Sequence, residues 1–464
     1  MMRYGVAALG RPTFDVPFAE QKLADAFDAL EKAGVEAVGP RALLYDAAAA
    51  REALGEIEKA GRIDAMLILQ VTFTDATMTV DIARRATAPV SIWALPEPRL
   101  GGRLRLNGFC GLNLAAHALG KAGLAHGSLY ADPGAPGIAE DLRALARPRA
   151  VEPSKAARAA PARHDDAERA LAALRGARIS VIGTHPDGFD TCAYDEGELA
   201  ALSGVAVSTH GLDALFDRAR SVDEARVATA RRRSAERLAG LDDVDQQELD
   251  RSFRLFCALE DIQEETGAQG LAVRCWPETF TEYGCAACGP MAMMNQKCVP
   301  SACEADVYGS FSALLLQHLA REPAWMADLV DLDFSDDTGV FWHCGLAPLS
   351  MCDPEATPEA TIHTNRRMPL LHQFPLKPGR FTFARLSQSR NETKLVVGAA
   401  RFVRSPMAFT GTSGVVKFDA GAGTLFNAIV AEGLEHHYAI AYGDHRPALR
   451  AVAAAFDIPL LELS

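Results

Sequence analysis

The feature that most constrains the fold of this chain is a repeated alternation of short apolar runs with amphipathic helical segments. Residues 4–9 form the first apolar run, and Leu23 and Phe27 follow it at helical spacing. Two further apolar runs, at 65–69 and 89–94, are separated by another helical segment. Strands that alternate with helices form parallel sheets covered on both faces. The N-terminal part is therefore predicted to be a Rossmann-like β/α domain.

The domain organisation follows from two changes in this pattern. Residues 147–165 are rich in Ala, Arg and Pro, which indicates an inter-domain connection, and a β/α pattern restarts after them. Beyond about residue 350, short β-like runs separated by Gly and Pro indicate a β-rich, barrel-like domain. The fold class is predicted to be α/β, with two Rossmann-like domains that contain parallel sheets and a C-terminal β-rich domain. The predicted domains span residues 1–160, 161–350 and 351–464.

Composition excludes several classes of protein. Of the 464 residues 49% are hydrophobic, which is enough apolar surface for a folded core. The 60 acidic and 47 basic residues give a net charge of −13, which disfavours nucleic acid as a partner. No apolar run reaches the roughly 20 residues that cross a bilayer, and the apolar start is too short and too soon followed by charge for a signal peptide. We expect a cytoplasmic protein with no nucleic-acid or membrane partner.

Cysteine is concentrated in one part of the sequence. Eight of the ten cysteines lie between Cys257 and Cys352, and Cys285 and Cys288 form a C-x-x-C pair. A zinc or iron–sulfur cluster needs four ligands at recurring spacing, and no second C-x-x-C is found. We favour buried, reduced thiols, with a metal cluster as the alternative.

Carboxylates and imidazoles stand beside or inside predicted apolar elements at four places. These are Glu304 and Asp306 ahead of a helix, Asp331 and Asp333 inside a strand, His343 at the end of the next strand, and His436 and His437 before the last strand. A charged group in a buried strand is costly unless it is paired, hydrogen-bonded or bound to a metal. A mixed set of carboxylate and imidazole donors suits Mn²⁺, Fe²⁺, Co²⁺ or Zn²⁺.

The residues alone leave other interpretations open. Asp306 is well placed as the N-cap of the helix that begins near Val307. A single His343 is more often a core histidine than a ligand, and one of the strand carboxylates can be solvated. Because His436 and His437 point to opposite faces of an extended segment, at most one is expected to bind a metal.

Four stretches carry a resemblance to known proteins, and they are residues 13–18, 107–113, 303–309 and 433–437. In this order they resemble the L-fucose isomerase and L-arabinose isomerase family, and L-fucose isomerase-like proteins most closely. The resemblance runs along most of the chain. It implies a metal-dependent aldose–ketose isomerase, with a divalent ion that is usually Mn²⁺, and a homo-oligomer expected to be a hexamer.

The resemblance also implies a ligand set of two acidic residues and one or two histidines. The matching positions are Glu304 and Asp331, with Asp333 competing for the second place, then His437 rather than His436, and His343. A metal that bridges two sugar oxygens stabilises an enediolate, and two carboxylates then act as base and acid. We expect Glu304 and Asp331 to share this catalytic role while they also bind the metal.

Candidate substrate-binding residues lie near the predicted strand ends, and they are Trp93, Glu97, Arg99, Asn107, Trp276 and Glu278. Arg99, Arg103 and Arg105 form a short basic cluster in an acidic protein. A solvated loop is the default interpretation of this cluster. The alternative is a clamp for a sugar acid, sulfosugar or sugar phosphate, since arginine binds oxyanions through two parallel hydrogen bonds.

The function predicted from the sequence is therefore a metal-dependent aldose–ketose isomerase that acts on a small-molecule sugar through an enediolate. One alternative keeps the metal site but changes the reaction to that of an epimerase, aldolase or other enediolate enzyme on a modified, anionic sugar. An alternative of another class is a sugar-binding protein without catalysis. The identity and stereochemistry of the sugar do not follow from residue spacing.

Overall fold

The N-terminal unit is a five-stranded parallel sheet flanked by helices. The computed structural model describes residues 2–147, 156–160 and 163–463. The strands are β1 (Met2–Leu9), β2 (Val35–Val38), β3 (Ala65–Gln70), β4 (Val90–Ala94) and β5 (His126–Tyr130), in the order β2-β1-β3-β4-β5. The helices are α1 (Val16–Lys32), α2 (Ala47–Lys59), α3 (Thr77–Arg85), α4 (Gly108–Lys121) and α5 (Ile138–Ala144). Strands β1, β3 and β4 are buried nearly throughout because helices cover both faces of the sheet.

The central unit is built on a second parallel sheet. Its strands are β7 (Arg178–Ile182), β8 (Ala206–His210), β9 (Gly270–Val273) and β10 (Ser301–Ala302), in the order β10-β9-β7-β8, and a two-residue strand, β6 (Ala157–Arg158), precedes them. The helices are α6 (Asp165–Leu174), α7 (Glu196–Ser203), α8 (Leu212–Arg220), α9 (Glu224–Ala235), α10 (Gln246–Thr266), α11 (Cys288–Gln296) and α12 (Val307–Ala320). The parallel order brings the carboxyl ends of β7, β9 and β10 to one edge.

The C-terminal unit contains a closed antiparallel barrel. Its strands are β11 (Trp325–Asp333), β12 (Thr338–His343), β13 (Glu359–Thr361), β14 (Leu371–Pro375), β15 (Gly379–Ser387), β16 (Lys394–Val403), β17 (Thr412–Phe418), β18 (His437–Tyr442) and β19 (Pro459–Glu462), with helices α13 (Ala422–Glu432) and α14 (Arg446–Phe456). Six strands pair in the order β17-β12-β11-β18-β15-β16, and β16 pairs again with β17. This second pairing closes the ring.

Aromatic side chains contributed by several strands fill the barrel. The Phe341 ring lies 5.5 Å from Phe383 and 6.1 Å from both Phe418 and Tyr438. Gly398 on β16 faces Phe383, where a Cβ atom would overlap the ring. The predicted α/β class, with two parallel-sheet units and a β-rich, barrel-like unit, is confirmed.

The sheet pairing differs from the predicted division of the chain near residue 350. Strands β11 and β12 were assigned to the central domain, but both belong to the barrel, where β11 pairs with β18 and β12 pairs with β17. The sequence could not reveal this because the partner strands lie far along the chain. Of the predicted connection at 147–165, residues 148–155 and 161–162 lie outside the described residues, and β6 joins the large sheet by pairing with β19. Within the described residues, none of the helices has the length and apolar character needed to cross a bilayer.

Candidate metal centre

The candidate site lies where the carboxyl edge of the central sheet meets the barrel. Glu304 follows β10 by two residues, and Trp276 lies three residues beyond the end of β9. Asp328 lies in β11, and His437 is the first residue of β18. Ligands of open parallel sheets bind beyond the carboxyl ends of the strands. The barrel thus supplies a second set of polar groups to the region where the fold predicts a ligand.

The backbone at Glu304 has an uncommon conformation. Glu304 and Ala305 have φ angles of 56° and 53°, in the left-handed region that residues with a side chain rarely adopt. The amide of Ala305 donates to the carbonyl of Val273, and the amide of Asp306 donates to that of Cys303. Non-glycine residues in this region cost about 1–3 kcal/mol each and are frequent at functional sites. The turn that positions the Glu304 carboxylate is therefore locally strained.

Asp306 carries two roles at the start of α12. Its Oδ1 accepts a hydrogen bond from the amide of Gly309, which confirms the predicted N-cap. Its Oδ2 lies 2.9 Å from His437 Nδ1 and 2.7 Å from a guanidinium nitrogen of Arg385. Because the carboxylate accepts at Nδ1, the Nε2 atom of His437 faces the remaining acids.

Asp328 and His437 are neighbours across the β11–β18 pairing. They are register partners, and Oδ1 of Asp328 lies 3.2 Å from Nε2 of His437. This oxygen is buried and lacks a hydrogen bond of acceptable geometry. A buried carboxylate oxygen without a donor is expensive, so its presence needs a physical reason.

The Glu304 carboxylate completes the convergence. Its Oε1 accepts a 3.0 Å hydrogen bond from the indole nitrogen of Trp276. Its Oε2 lies 3.3 Å from Nε2 of His436 and 3.8 Å from Nε2 of His437. Both neighbouring histidines therefore face Glu304, in contrast to the expectation that an extended segment would direct only one of them to the site. His436 precedes β18, so strand alternation does not apply to it.

At these groups, interactions with neighbouring charged and polar side chains change the pKa more than burial does. Burial alone would raise the pKa of Glu304, but its hydrogen bond to His436 and the charges of His436 and His437 hold it below the usual value. The pKa of Asp328 is likewise lowered against burial, because of His343 and His437. Burial alone would lower the pKa of His437, but its hydrogen bonds to Asp306 and Asp328 outweigh burial and raise this pKa. Both acids are therefore ionised near neutral pH.

The donor set fits a divalent cation. Glu304 Oε2, Asp328 Oδ1 and His437 Nε2 are two hard oxygens and one imidazole nitrogen, the combination that suits Mn²⁺, Fe²⁺, Co²⁺ or Zn²⁺. Two ionised carboxylates close together repel each other, and a dication removes that cost. It would also satisfy the Asp328 oxygen that has no donor.

His343 lies beside this cluster but contacts thiols. Its Nε2 lies 2.9 Å from Sγ of Cys303, and its Nδ1 lies 3.4 Å from Sγ of Cys344. Cys303 also lies 3.6 Å from His437 Nε2, and Cys192 lies at the same distance from Glu304 Oε2. The role of His343 as a metal ligand stays a prediction. None of the ten cysteines, all of which lie in the described part of the chain, forms a disulfide, and seven of them are buried, whereas Cys298 is exposed.

Asp331, the predicted second acid, is engaged elsewhere. Its Oδ2 accepts a 2.6 Å hydrogen bond from Nε of Arg99, and its Oδ1 accepts one from the hydroxyl of Tyr130. None of the contacts described joins Asp331 to Glu304 or His437. The structure brings Asp328 to them instead. The competing Asp333 accepts hydrogen bonds from Ser335 and Asp336 at the end of β11.

The strand carboxylates singled out from the sequence were Asp331 and Asp333, and Asp328 was not among them. The available signal was a run with acids at 328, 331 and 333 inside an apolar segment that starts with Trp325. Cys303, which contacts both His343 and His437, was also missed as a site residue, since thiols were assigned to the core.

Three of the predicted substrate-binding residues are buried, and the side chains of two of them make hydrogen bonds within the N-terminal unit. Trp93 is fully buried and donates to the carbonyl of Ala131. Glu97 accepts hydrogen bonds from the amides of residues 105, 106 and 107 and thereby anchors their loop. Asn107 precedes α4 with a φ angle of 51° and is buried. The substrate-binding role of these three residues stays a prediction, and their contacts could not be read from the sequence because burial and hydrogen bonding depend on the tertiary fold.

The predicted charged residues are also paired. Arg99 bonds to Asp331 and Thr338, and Glu278 pairs with Arg274 at 2.7 Å. Arg105 bonds to Asp15 at 2.8 Å. Trp276, another predicted substrate-binding residue, contacts Glu304 of the candidate centre. The role of the basic cluster as an anion clamp stays a prediction.

A large cavity lies away from this chemistry. It encloses about 1190 Å³ and is lined by residues of β5, α5 and α13. None of the candidate ligands lines it, so convergence of donor atoms locates the centre better than cavity size does.

Two family models match the chain. Residues 5–151 match the N-terminal domain of fucose/sulfoquinovose isomerase, and residues 343–464 match the C-terminal domain of L-fucose isomerase. Together these segments cover more than half of the sequence. The second match contains His437, and Glu304 and Asp328 lie between the two matched segments.

Relatives align along nearly the whole chain. The sulfoquinovose isomerase of Clostridium sp. (strain MSTE9) is 29% identical over 98% of both proteins. That of Priestia aryabhattai is 29% identical over 94% of this chain and 93% of its own. The enzyme of the same name from Alkalicoccus urumqiensis is 28% identical over 86% of each.

Proposed function

Because the chain belongs to the L-fucose isomerase-like family and is an aldose–ketose isomerase, we propose that it is metal-dependent and converts a sulfonated aldose into the corresponding ketose. One observation carries the metal dependence: buried Nε2 of His437 lies 3.8 Å from Oε2 of Glu304 and 3.2 Å from Oδ1 of Asp328, and this Asp328 oxygen has no hydrogen bond of acceptable geometry. The proposed ion is Mn²⁺, and Co²⁺, Fe²⁺ and Zn²⁺ suit the same donors.

His437 is oriented for metal binding by its neighbours. Asp306 accepts at Nδ1 and is itself fixed by two hydrogen bonds from the Arg385 guanidinium, at 2.7 and 3.2 Å. Arg385 and Asp306 are almost completely buried, so little water competes with this chain of contacts. A carboxylate behind a ligating histidine fixes its tautomer and increases its basicity, which supports Nε2 as the donor.

Proton transfer is assigned to the two carboxylates. A divalent ion held by these residues would act as a Lewis acid on the sugar oxygens and stabilise negative charge that develops beside the carbonyl. Isomerisation also needs a base that takes a proton from carbon 2 and returns one to carbon 1. Glu304 is ionised, and it is proposed to act as this base while it also binds the ion. Asp328, and not Asp331, is proposed to share this role.

The substrate class rests on the relatives. All three relatives described above carry the name sulfoquinovose isomerase, and they align with 86–98% of this chain. A sulfonated hexose agrees with the alternative from the sequence in which the sugar is anionic. The hexamer implied by family resemblance is part of the proposal, and light scattering of the purified protein tests it.

The test follows one sulfonated aldose by NMR in deuterated water. Purified protein is treated with a chelator, reloaded with Mn²⁺ and incubated with sulfoquinovose. We expect a ketose that carries one solvent deuterium at carbon 1, formed only when metal is present. A carbon-2 epimer or cleaved products would point to the epimerase or aldolase alternatives.

The matched variants are Glu304→Gln and Glu278→Gln. The first removes the proposed base and should lower kcat about 10²- to 10⁴-fold. The second removes a carboxylate that pairs with Arg274 and should leave kcat within a few-fold of wild type. Full activity of Glu304→Gln with metal bound would contradict the proposal, as would unchanged sugar with the wild-type protein.

A further inference from the structure

A second group of side chains surrounds Trp276, the residue whose indole nitrogen contacts Glu304. The guanidinium carbon of Arg366 lies 5.3 Å from the centre of the Trp276 ring and 5.1 Å from that of Phe280. Arg366 belongs to the segment between β13 and β14, so a loop of the C-terminal unit brings it here. Its charge therefore lies one aromatic ring away from the proposed base.

Arg366 lacks the acidic partner that comparable arginines have. Arg99, Arg105 and Arg274 each form an ion pair with a carboxylate. In the parts of the chain that the structure covers, no carboxylate forms an ion pair with Arg366. Burial and the charge of Arg11 lower the pKa of the Arg366 guanidinium, which indicates a position short of negative charge. An anion bound here would relieve that shortage.

Arg11 adds a second positive charge to the same ring. It follows β1, and its guanidinium carbon lies 5.1 Å from the centre of the Trp276 ring. One of its terminal nitrogens lies 3.0 Å from Asp75, which fixes the side chain and uses only part of its donor capacity. His363 lies beside Arg366, but burial and the Arg366 charge lower its pKa to about 3, so it is neutral. The local excess of charge comes from the two arginines.

The loop that carries Arg366 is held by an arginine of the predicted basic cluster. Nε of Arg103 donates to Oδ1 of Asn365 at 2.5 Å, and Nδ2 of Asn365 lies 3.4 Å from the carbonyl of Leu104. Arg103 therefore positions the loop, while Arg366 remains unpaired. The basic cluster at 99–105 thus holds the loop that carries Arg366, and it does not itself form the anion site.

We propose that Arg366, assisted by Arg11, binds the anionic group of the substrate, a sulfonate at the end of the sugar remote from the carbons that react. This inference rests on the proposed function for the identity of the substrate. A guanidinium presents parallel N–H donors that match the oxygens of an oxyanion. The neighbouring aromatic rings make the surroundings less polar than water. The attraction between the guanidinium and an anion is therefore screened less and is stronger. Trp276 then contacts both ends of the site.

The test compares binding and turnover in matched variants. The variants are Arg366→Gln, Arg366→Lys and, as a control, Arg41→Gln, whose guanidinium lies over Phe27 in the N-terminal unit. For sulfoquinovose, kcat/KM of Arg366→Gln should fall on the order of 100-fold, the size expected when a buried charge pair loses one partner. Arg366→Lys should recover part of the loss, and Arg41→Gln should match wild type.

A binding measurement isolates the anion contact from the chemistry. Calorimetry in the Glu304→Gln background compares sulfoquinovose with glucose, which lacks the sulfonate, and methanesulfonate serves as a competitor. Adding Arg366→Gln should weaken sulfoquinovose binding on the order of 100-fold, abolish competition by methanesulfonate and leave any glucose binding unchanged. A folded Arg366→Gln protein with wild-type affinity for sulfoquinovose would overturn the inference. Absence of turnover by the wild-type protein would instead overturn the proposed function, because binding is scored separately.

Discussion

Asp328 and Asp331 lie on the same strand of the barrel and are equally buried, yet their surroundings differ. Asp331 accepts from Arg99 and Tyr130, so both of its oxygens have donors. Asp328 faces His437 and keeps one buried oxygen without a donor. Burial therefore does not distinguish these two carboxylates, whereas the completeness of their hydrogen bonding does.

Their pKa values shift in opposite directions. Burial raises the pKa of Asp331 even though Arg99 and Tyr130 oppose the change. The pKa of Asp328 is lowered against burial by the charges of His343 and His437. Asp331 joins the N-terminal unit to the barrel, because Tyr130 ends β5 and Arg99 follows β4. Asp328 instead faces His437, at the candidate site where the barrel meets the carboxyl edge of the central sheet.

The difference between the two carboxylates is tested most directly by neutralising each of them in turn. Asp328→Asn should lower kcat about 10²- to 10⁴-fold, because it removes a proposed metal donor and proton acceptor. Asp331→Asn should leave kcat within a few-fold of wild type. Initial rates with Mn²⁺ supplied measure both. The Mn²⁺-induced rise in melting temperature should disappear only in Asp328→Asn, and the reverse pattern would restore Asp331 as the second acid.

The next largest effect is expected on stability. Asp331→Asn leaves the mostly buried Arg99 without its counter-charge, which should lower the free energy of unfolding by about 3–5 kcal/mol. Asp333→Asn is the control, since its loss of a turn hydrogen bond should cost only about 1 kcal/mol. Urea unfolding at neutral pH gives both values. Equal stabilities of the two variants would show that the contact between Arg99 and Asp331 stabilises little.

A smaller effect concerns pH and the neighbouring Glu97. Burial raises its pKa to about 7, although amides of Arg105, Leu106 and Asn107 favour the charged form and the Asp331 charge opposes it. The folded protein therefore keeps this proton up to about pH 7, whereas the unfolded chain releases it near 4.5. Its contribution to stability is complete below pH 4.5 and is lost as the pH rises through 7.

Glu97→Gln measures this contribution. Between pH 5 and pH 8 the wild-type free energy of unfolding should fall by about 3 kcal/mol more than that of the variant. Urea unfolding at the two pH values provides the comparison. Parallel pH profiles for the two proteins would show that Glu97 is ionised throughout this range.

The order of strands and helices could be predicted because hydrophobic periodicity is local. The long charged segment at 221–264 contains no proline and favours helix, and the structure divides it into α9 and α10 around Gly240, whose φ is 74°. The assignment of β11 and β12 could not be predicted, since pairing with β17 and β18 joins strands about a hundred residues apart.

The site shows the same limit. Glu304 and His437 were singled out because charge beside an apolar element is visible in the sequence, and the structure brings them together. The choice between Asp328 and Asp331 depends on Tyr130 and Arg99, which lie some two hundred residues away. Trp276 was placed correctly at a strand end, but its contact with Arg366 required the loop between β13 and β14.

Closure of the barrel has a consequence for the size of the ion. Strand β11 is hydrogen-bonded along both sides, to β12 and to β18, so it has no free edge along which it could slide. Asp328 and His437 are therefore fixed relative to each other by the backbone rather than by flexible side chains alone. At the proposed centre, a rigid gap of this kind would penalise large, many-coordinate ions such as Ca²⁺ and favour compact ones, so discrimination between cations would originate in the scaffold.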